Sequence, residues 1–298
     1  MYKNTISVCI PIYKPQEDFF VKLLIFLEKN IISELVVIET VDAFRSDTCE
    51  ERLLKIANSL RISLKYSTCV KETFNHGNSR NDLFNQTSCE YIIITTQDSD
   101  LTHNVNLEVL LDYFILNKLD ALCLRHYSSS PLFDRIFEEM FTELSSIDYA
   151  NCSGSSIGWW SHNFALYSRE SIELLPFPSV SFAEDLYWAK LAREHGLRLA
   201  IFFQQGVVHL NRESLGSSYS RGKLEALGHF EGHIMSGMKT LEFPFWRIIL
   251  KTFSEGIRQF TFLRLGSLCS DLNLLVTHRL QRFTFLITWN SLARNRKV

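Results

Sequence analysis

Short apolar runs alternate with helical patterns along the first hundred residues, and this alternation limits the folds open to the chain. Three short runs rich in β-branched residues are predicted as strands, at residues 5–12, 34–39 and 91–95, and a short strand is also predicted at residues 63–66. Helical apolar spacing fills the intervals, at residues 19–29, 50–60 and 78–85. Because strands that alternate with helices usually pair in parallel, the sequence predicts an α/β fold with a mostly parallel central sheet flanked by helices.

The later part of the chain is less regular. Helices are predicted at residues 106–117, 132–144 and 183–195. Short strands are predicted at residues 121–124, 199–203 and 207–208, and a Ser/Gly-rich loop at residues 152–158. No internal repeat or low-complexity segment interrupts this order.

The composition is that of an ordinary folded protein. Of 298 residues, 46% are apolar and 21% are charged, which suits one large domain or one domain with an appendage. No apolar run approaches the roughly 18 residues of a transmembrane helix, and the first residues lack a signal peptide's apolar core. The 7 cysteines are scattered without a Cys-x-x-Cys pair, so we expect neither a zinc site nor a disulfide framework, and a cytoplasmic location.

Two carboxylates, Asp98 and Asp100, follow the predicted strand at residues 91–95 and are separated by one serine. Ligands of open α/β sheets bind just beyond the carboxyl ends of the strands. Two acidic side chains at such an edge can hold a hard divalent cation, of the kind that proteins couple to substrate phosphates. An Asp-x-Asp sequence is also common in turns and helix caps, so the motif alone leaves both interpretations open.

A polar loop, Phe74 to Asn81, leads into the predicted helix at residues 78–85. Gly77 would allow a ligand to approach closely, and Asn78 or Ser79 would cap the helix. The N-terminus of a helix favours an anion at this point. The same residues would also suit an ordinary capped helix with an exposed arginine.

Adjacent carboxylates, Glu184 and Asp185, begin the predicted helix at residues 183–195. Acidic residues at a helix N-terminus are stabilised by the helix dipole, with no chemistry required. A carboxylate in a cleft also serves as a general base for a hydroxyl group that attacks a substrate.

Taken together, these motifs resemble family 2 inverting glycosyltransferases of the GT-A fold, and most closely the bacterial rhamnosyltransferases of polysaccharide (O-antigen or capsule) assembly. The similar segments are 8–13, 74–81, 96–100, 184–189, 207–209 and 218–221. The resemblance implies a nucleotide-sugar-binding catalytic domain at residues 1–225. It also implies metal-dependent transfer of a sugar, with L-rhamnose from dTDP-rhamnose as the expected donor.

The resemblance also assigns roles to individual residues. Pro11, Ile12 and Tyr13 would lie beside the nucleobase, and His76 and Arg80 near the nucleotide sugar or its phosphates. Asp98, Asp100 and His209 would hold Mn²⁺ or Mg²⁺ and the diphosphate. Asp185 would deprotonate the acceptor, with Glu184 as its neighbour.

The sequence departs from the family pattern after the second strand, where an Asp usually binds the nucleobase. Here Glu39 or Asp42 would take that role. The nucleotide therefore stays open, with UDP-glucose, UDP-galactose or a galactofuranosyl donor as alternatives to dTDP-rhamnose. A non-catalytic scaffold that binds sugar nucleotides is the alternative from another class of protein.

The charge is uneven along the chain. Residues 221–298 hold 12 Lys and Arg against 5 Asp and Glu, a net charge of +7, which leaves −9 for residues 1–220. From Phe243 on, aromatic and branched residues recur at helical spacing, and a second helix is predicted at residues 272–286. We expect the helical region 226–298 to bind a membrane surface through its bases, at the inner face of a bacterial cell membrane.

Two alternatives stay open for this region, namely packing on the catalytic domain or a dimer contact. A lipid-linked or growing cell-surface glycan is the expected acceptor. Nucleic acid is not an expected partner, because no nucleic-acid-binding module is recognisable and the predicted catalytic part is acidic.

Overall fold

A computed structural model describes residues 6–42, 49–102, 105–128, 160–180 and 182–209, with short pieces at 219–220, 222–223, 226–227, 280, 283–288 and 291. The predicted helix at 132–144, the loop at 152–158 and the amphipathic helix from Phe243 lie outside the described residues. Within the helix predicted at 272–286, residues 280 and 283–286 are described and are helical.

The predicted helices and strands that fall on described residues are found in the predicted order, together with three elements that were not predicted. The strands are β1 (Ile6–Tyr13), β2 (Glu34–Val41), β3 (Ser63–Val70), β4 (Tyr91–Thr95), β5 (Ser99–Asp100), β6 (Ala121–Ser128), β7 (Phe164–Ser168) and β8 (Leu199–His209). The α-helices are α1 (Glu17–Lys29), α2 (Glu50–Leu60), α3 (His76–Gln86), α4 (Leu107–Leu116), α5 (Arg169–Leu174) and α6 (Glu184–Glu194). A 3₁₀ turn, Lys71–Thr73, links β3 to α3.

The strands form one sheet in the order β3-β2-β1-β4-β7-β6-β8-β5. The first four strands along the sheet are parallel, and β6 is parallel to β8. Strand β7 runs antiparallel between β4 and β6, and β5 runs antiparallel to β8. The predicted α/β fold is confirmed, with a mixed sheet.

Three short elements, β5, β7 and α5, were not predicted from the sequence. Strand β5 and helix α5 are too short to show a period, and β7 contains no β-branched residue. The prediction of two strands at residues 199–203 and 207–208 is wrong. They form the single strand β8, which stays paired with β6 across an irregularity at Leu124/Arg125. Such an irregularity lets a strand continue past residues that break its alternation.

Hydrophobic residues pack into two clusters whose strand members alternate along the sheet. Alternate residues of β1 enter different clusters, with Val8 and Ile10 in one and Cys9 in the other. The first cluster includes Phe26 of α1 and Leu110 of α4, and the second includes Leu83 of α3. Because successive side chains of a strand point to opposite faces, the two clusters cover the two faces of the sheet.

The chain divides into two compact units. The first comprises Met1–Ser129, Phe141–Ser179 and Asp185–Leu210, and it contains the sheet. The second comprises Ser130–Met140, Val180–Glu184 and Asn211–Val298, and its buried described residues include Ala226 and Leu286. Among the helices of the described part of the chain, none is long and apolar enough to span a bilayer.

A buried glutamate, Glu34, links three segments at the amino end of the parallel strands. Its carboxylate accepts hydrogen bonds from the Ser7 hydroxyl (2.6 Å) and from the backbone and hydroxyl of Ser88 (2.9 and 3.0 Å). The Lys65 ammonium of β3 lies 2.6 Å from Oε1, the oxygen that also accepts from the Ser88 hydroxyl. Burial alone would raise the pKa of Glu34, but the bonds from Lys65, Ser7 and Ser88 outweigh it and lower the pKa.

We expect the substitution Glu34→Gln to lower the free energy of unfolding by about 2 kcal/mol at pH 7, because it removes the ion pair of the buried Glu34 with the partly exposed Lys65 and disturbs the hydrogen bonds to Ser7 and Ser88. A carboxylate with a lowered pKa stabilises the fold above its unfolded pKa and loses this effect as the pH falls through the folded pKa. The difference between the two proteins should therefore shrink below about pH 4. Urea denaturation of both proteins at pH 7 and pH 3 measures this difference in the free energy of unfolding.

The exposed Glu90 offers a matched control, because Glu90→Gln makes the same chemical change outside such a cluster. This control should change the free energy of unfolding by less than about 0.5 kcal/mol. An equal effect of both substitutions, or a pH-independent effect at Glu34, would contradict the structural role of Glu34.

Candidate active site

The carboxyl ends of β1 and β4 are joined by one side chain. The Gln97 amide oxygen accepts a hydrogen bond from the Tyr13 backbone N–H (2.7 Å), and its amide nitrogen donates to the Tyr13 carbonyl (3.0 Å). The next residue, Lys14, has a φ of 46°, so the chain turns sharply there. Gln97 thereby fixes the end of β1 beside residues 97–100, which we call the Asp98 turn.

Asp98 and His209 are brought together by the pairing of β5 with β8. Ser99 lies opposite His209 in that pairing, and the His209 Nε2 lies 2.8 Å from the Asp98 Oδ2. The Asp98 side chain is 45% exposed and that of His209 12% exposed. Desolvation by the surrounding protein would raise the pKa of Asp98, but the hydrogen bond with His209 lowers it to about 2.

Asp100 points to different partners. Its Oδ1 accepts hydrogen bonds from the backbone N–H and the hydroxyl of Thr102 (3.0 and 2.6 Å), while Lys22 of α1 lies 3.3 Å from its Oδ2. Burial would raise the pKa of Asp100, but the bonds from Thr102 and Lys22 lower it. Both oxygens of Asp100 therefore contact the protein itself, and they hold the turn against α1.

The donor set at Asp98 suits a divalent cation that also binds substrate. A carboxylate and an imidazole are both accepted by Mn²⁺, which takes its other ligands from phosphate oxygens and water. Within the described part of the chain, no group of three or more His, Cys, Asp or Glu side chains could enclose a metal by itself. The pair of Asp98 and His209 fits a cation that is shared with a diphosphate.

A polar cluster lies past the carboxyl ends of β1 and β2. The Tyr13 hydroxyl contacts Asp42 and Lys71 (both 3.1 Å), and the Lys14 ammonium lies 2.7 Å from the Asp42 carboxylate. Lys14 and Lys71 also lie over the Tyr13 ring, at 5.1 and 5.0 Å from its centre. The bond from Lys14 lowers the pKa of Asp42. Of the other two predicted nucleobase residues, Ile12 is buried in the core and Pro11 is partly buried.

Glu39 is bonded within the fold. Its Oε2 accepts from the backbone N–H and the thiol of Cys49 (2.9 and 3.1 Å) and from the Tyr66 hydroxyl. The residue is 1% exposed. Because Cys49 immediately precedes α2, Glu39 fixes the start of that helix to the sheet. Asp42, with a side chain 39% exposed, is the more accessible of the two acids.

Helix α3 is capped by Asn75, whose side chain accepts from the Asn78 backbone N–H (3.0 Å). The prediction that Asn78 or Ser79 forms the cap is wrong, because the helix begins at His76, two residues before its predicted start. His76, the first residue of the helix, packs its ring edge to face on Phe74, with 4.9 Å between ring centres.

The first turn of α3 also packs closely on the segment that precedes Glu184 and Asp185. A Cβ atom on Gly77 would lie 1.9 Å from the Pro178 carbonyl oxygen. One turn further on, the Asn81 amide exchanges two hydrogen bonds with the Phe177 backbone, both 2.9 Å. The close approach predicted for Gly77 is therefore an approach of the chain's own backbone.

We expect the substitution Gly77→Ala to lower the free energy of unfolding by about 2 kcal/mol, because the new methyl group collides with backbone that the Asn81 bonds hold in place. Thermal or urea denaturation measures the loss. Asn78→Ala provides the control, since Asn78 is exposed in the same turn. A Gly77→Ala protein as stable as the Asn78→Ala protein would show that the Phe177–Ser179 backbone moves freely.

Arg80 and Asp185 contact the same residue, His162, which lies just before β7. The Arg80 Nε–H donates to the His162 Nδ1 (3.4 Å), and the His162 backbone N–H donates to the Asp185 Oδ2 (3.2 Å). The other carboxylate oxygen of Asp185 accepts from the Leu186 backbone N–H (2.8 Å). The neighbouring acid, Glu184, is buried.

The segment 160–163 links the Asp98 turn to Asp185. On one side, Asn163 accepts hydrogen bonds from the hydroxyls of Thr95 (2.6 Å) and Thr96 (3.5 Å), just before the Asp98 turn. On the other side, the next residue back, His162, bonds to Asp185. The two acidic positions, far apart in sequence, therefore lie on either side of one short segment.

Sequence reasoning missed four residues that contact this site, namely Lys22, Gln97, His162 and Asn163. Gln97 could have been found from the sequence, since it lies within residues 96–100, one of the segments that resemble the glycosyltransferase family. The other three lie outside every motif, and each approaches the site through a helix or loop that is distant in sequence.

Comparisons with known proteins support the fold. No protein-family model matches the chain, and no curated protein matches it. Among solved structures, S. aureus TarS residues 1–349 in complex with UDP-GlcNAc is similar, with 16% identity, a TM-score of 0.54 and coverage of 98% of this chain and 92% of that one. The mannosyltransferase PcManGT from Pyrobaculum calidifontis, in complex with GDP-Man and Mn²⁺, has 13% identity, a TM-score of 0.59 and coverage of 99% and 87%. At these identities the similarity establishes the fold, and the chain has the GT-A-like fold of these structures.

Proposed function

We propose that this protein is an inverting, metal-dependent glycosyltransferase. The observation that carries the proposal is the segment 160–163, which bonds to the strand end before Asp98 through Asn163 and to Asp185 through His162. One site thereby combines an acid–imidazole pair suited to a cation on a diphosphate with a carboxylate suited to a general base. The complexes of similar structures with UDP-GlcNAc and with GDP-Man and Mn²⁺ agree with such a site.

In this proposal Asp98 and His209 would hold Mn²⁺ or Mg²⁺ together with the donor diphosphate. The bound cation would supply charge neutralisation for the leaving nucleoside diphosphate. Asp100, bonded to Lys22 and Thr102, would keep the turn in place, so that Asp98 stays within hydrogen-bond distance of His209.

Asp185 would act as the base. The acceptor oxygen attacks the anomeric carbon while its proton passes to the Asp185 carboxylate. The bond from that carbon to the diphosphate oxygen breaks, and the nucleoside diphosphate leaves with the bonding electrons. This single displacement inverts the anomeric carbon and needs no enzyme nucleophile. The backbone N–H groups of His162 and Leu186 orient the carboxylate for this step.

For the donor, we propose that Asp42 and Tyr13 read the nucleobase, and that Glu39 supports them from the fold. The accessible carboxylate of Asp42 beside an aromatic ring suits an imide N–H of a pyrimidine base. His76 and Arg80 would lie toward the sugar or its phosphates. The Phe-x-His-Gly-x-x-Arg-Asn sequence at residues 74–81 favours L-rhamnose from dTDP-rhamnose, with a UDP-sugar as the alternative.

The acceptor proposed is a lipid-linked or growing cell-surface glycan at the inner face of the cell membrane. Support comes from the basic and aromatic composition of residues 226–298, the region proposed to bind the membrane surface. In contrast, the proposed catalytic region, residues 1–225, has a negative net charge.

A donor-hydrolysis screen tests the proposal. The purified protein, with Mn²⁺ or Mg²⁺, is offered dTDP-, UDP- and GDP-sugars with and without a lipid-linked acceptor extract, and release of nucleoside diphosphate is recorded. Release from dTDP-rhamnose is the expected result. Preference for a UDP-sugar would retain the reaction and reject the rhamnosyl donor. Binding of nucleotides without turnover of any donor would reject the enzyme in favour of a sugar-nucleotide-binding scaffold.

A further inference from the structure

The imidazole of His162 is a buried polar group at the site that the proposed chemistry does not use. The residue is 2% exposed, and its backbone N–H donates to the Asp185 Oδ2. It lies two residues before β7, whose first residue, Phe164, pairs with Thr95 at the end of β4. His162 therefore contacts α6 through Asp185 and lies close to the end of β4, which precedes the Asp98 turn.

The hydrogen bonds of the ring fix its orientation and tautomer. The Arg80 Nε–H can only donate, so the His162 Nδ1 that it contacts at 3.4 Å accepts with its lone pair. The proton of the neutral ring is therefore on Nε2, which donates to the Tyr167 hydroxyl oxygen at 2.8 Å. That oxygen also accepts from the Trp160 indole N–H at 3.0 Å.

Aromatic side chains enclose this chain of hydrogen bonds. The Phe177 ring meets the His162 ring edge to face, with 5.0 Å between centres. Trp188 of α6 meets Tyr167 at 4.9 Å and is fully buried, and its indole N–H donates to the Leu175 carbonyl at 2.7 Å. Since Trp188 lies one turn after Asp185, the same packing sets the position of the first turn of α6 relative to β7.

We infer that His162 is the positioning residue of Asp185. Its ring, held between Arg80 and Tyr167, sets the backbone N–H that orients the Asp185 carboxylate. Arg80, on the helix proposed to face the donor, is thereby coupled to the base. The inference rests on the proposed function, because it assigns His162 a part in that reaction, but the contacts that carry it do not depend on the identity of the donor.

The test compares two substitutions of His162. Leucine fills the same space and removes both ring bonds, whereas glutamine can accept from Arg80 and donate to Tyr167. We expect His162→Leu to lower kcat by about 10- to 100-fold while the KM for the donor changes by less than about threefold, since a misplaced base slows the transfer step and not donor binding. We expect His162→Gln to restore kcat to within about fivefold of the unmodified protein.

The exposed His195, the residue that follows α6, supplies the matched control, and His195→Leu should leave kcat and KM unchanged. A purely structural His162 would lower the melting temperature of His162→Leu but leave the kcat of the folded fraction unchanged. Such a result, or failure of glutamine to restore kcat, would overturn the inference.

A second measurement does not depend on turnover. The melting temperatures of His162→Leu, Asp185→Ala and the double variant form a cycle that reports whether the two residues act together. We expect the loss in the double variant to be smaller than the two single losses combined. Additive losses would overturn the coupling, whereas an inactive but coupled protein would reject only the proposed function.

Discussion

Replacing Asp185 by asparagine is expected to lower the rate of sugar transfer by about 10²- to 10⁴-fold. An amide has nearly the same shape as the carboxylate, and its oxygen can still accept one of the two N–H bonds from His162 and Leu186. It cannot take the proton of the acceptor hydroxyl at neutral pH. Because the substitution leaves the Asp98 and His209 pair untouched, donor and metal binding should stay the same.

Steady-state kinetics with saturating donor and acceptor measure this effect, and calorimetric titration with the nucleoside diphosphate checks that binding is retained. Asp82→Asn makes the same chemical change at an exposed position of α3 and should leave kcat unchanged. An Asp185→Asn protein that keeps more than about a tenth of the normal kcat would show that Asp185 is not the base.

Replacing Asp98 by alanine is expected to weaken Mn²⁺ binding by at least about 100-fold and to abolish metal-dependent transfer. Asp98 is the carboxylate that lies against His209, and its low pKa keeps it ionised throughout the physiological range. In contrast, Asp100→Ala should leave Mn²⁺ affinity within about fivefold of normal and lower the melting temperature, because Asp100 bonds to Thr102 and Lys22.

Electron paramagnetic resonance of Mn²⁺, titrated in the presence of a nucleoside diphosphate, measures affinity without relying on turnover. The two alanine variants control for one another, since both remove a carboxylate from the same short turn. Loss of Mn²⁺ binding in both variants would show that Asp100 turns toward the cation when the diphosphate binds, and equal retention would remove the cation from the Asp98 turn.

Most elements of the first hundred residues could be predicted, because the helices show apolar spacing of helical period and strands such as β4 are rich in β-branched residues. Strand β4 was predicted with its observed bounds, and α2 likewise. Strand β7 escaped prediction although its five residues are central to the sheet, between β4 and β6. Strand β4 has the same length but four β-branched residues, whereas β7 has none, so the composition of β7 does not indicate a strand and only its pairing reveals it.

In the candidate site, too, some features could be predicted from the sequence and others are seen only in the structure. Asp98 and Asp185 stand out in the sequence, because each lies at an element boundary where a carboxylate has a chemical use. From the sequence, Asp98 and Asp100 have the same predicted role in metal binding. Glu39 and Asp42 are equal candidates for binding the nucleobase. In the structure, Asp98 meets His209 and Asp100 meets Lys22, while Glu39 is buried against Cys49 and Tyr66 and Asp42 stays accessible.

By itself, then, the sequence determined the order of most elements, the α/β class and the residue types available for chemistry, because these follow from local patterns and from side-chain identity. Only the tertiary structure decided which acidic side chain contacts which basic side chain. It also decided that His162 lies between Arg80 and Asp185. The physical reason is that hydrogen bonds and ion pairs act over about 3 Å, whereas the residues that form them here are separated by tens of positions along the chain.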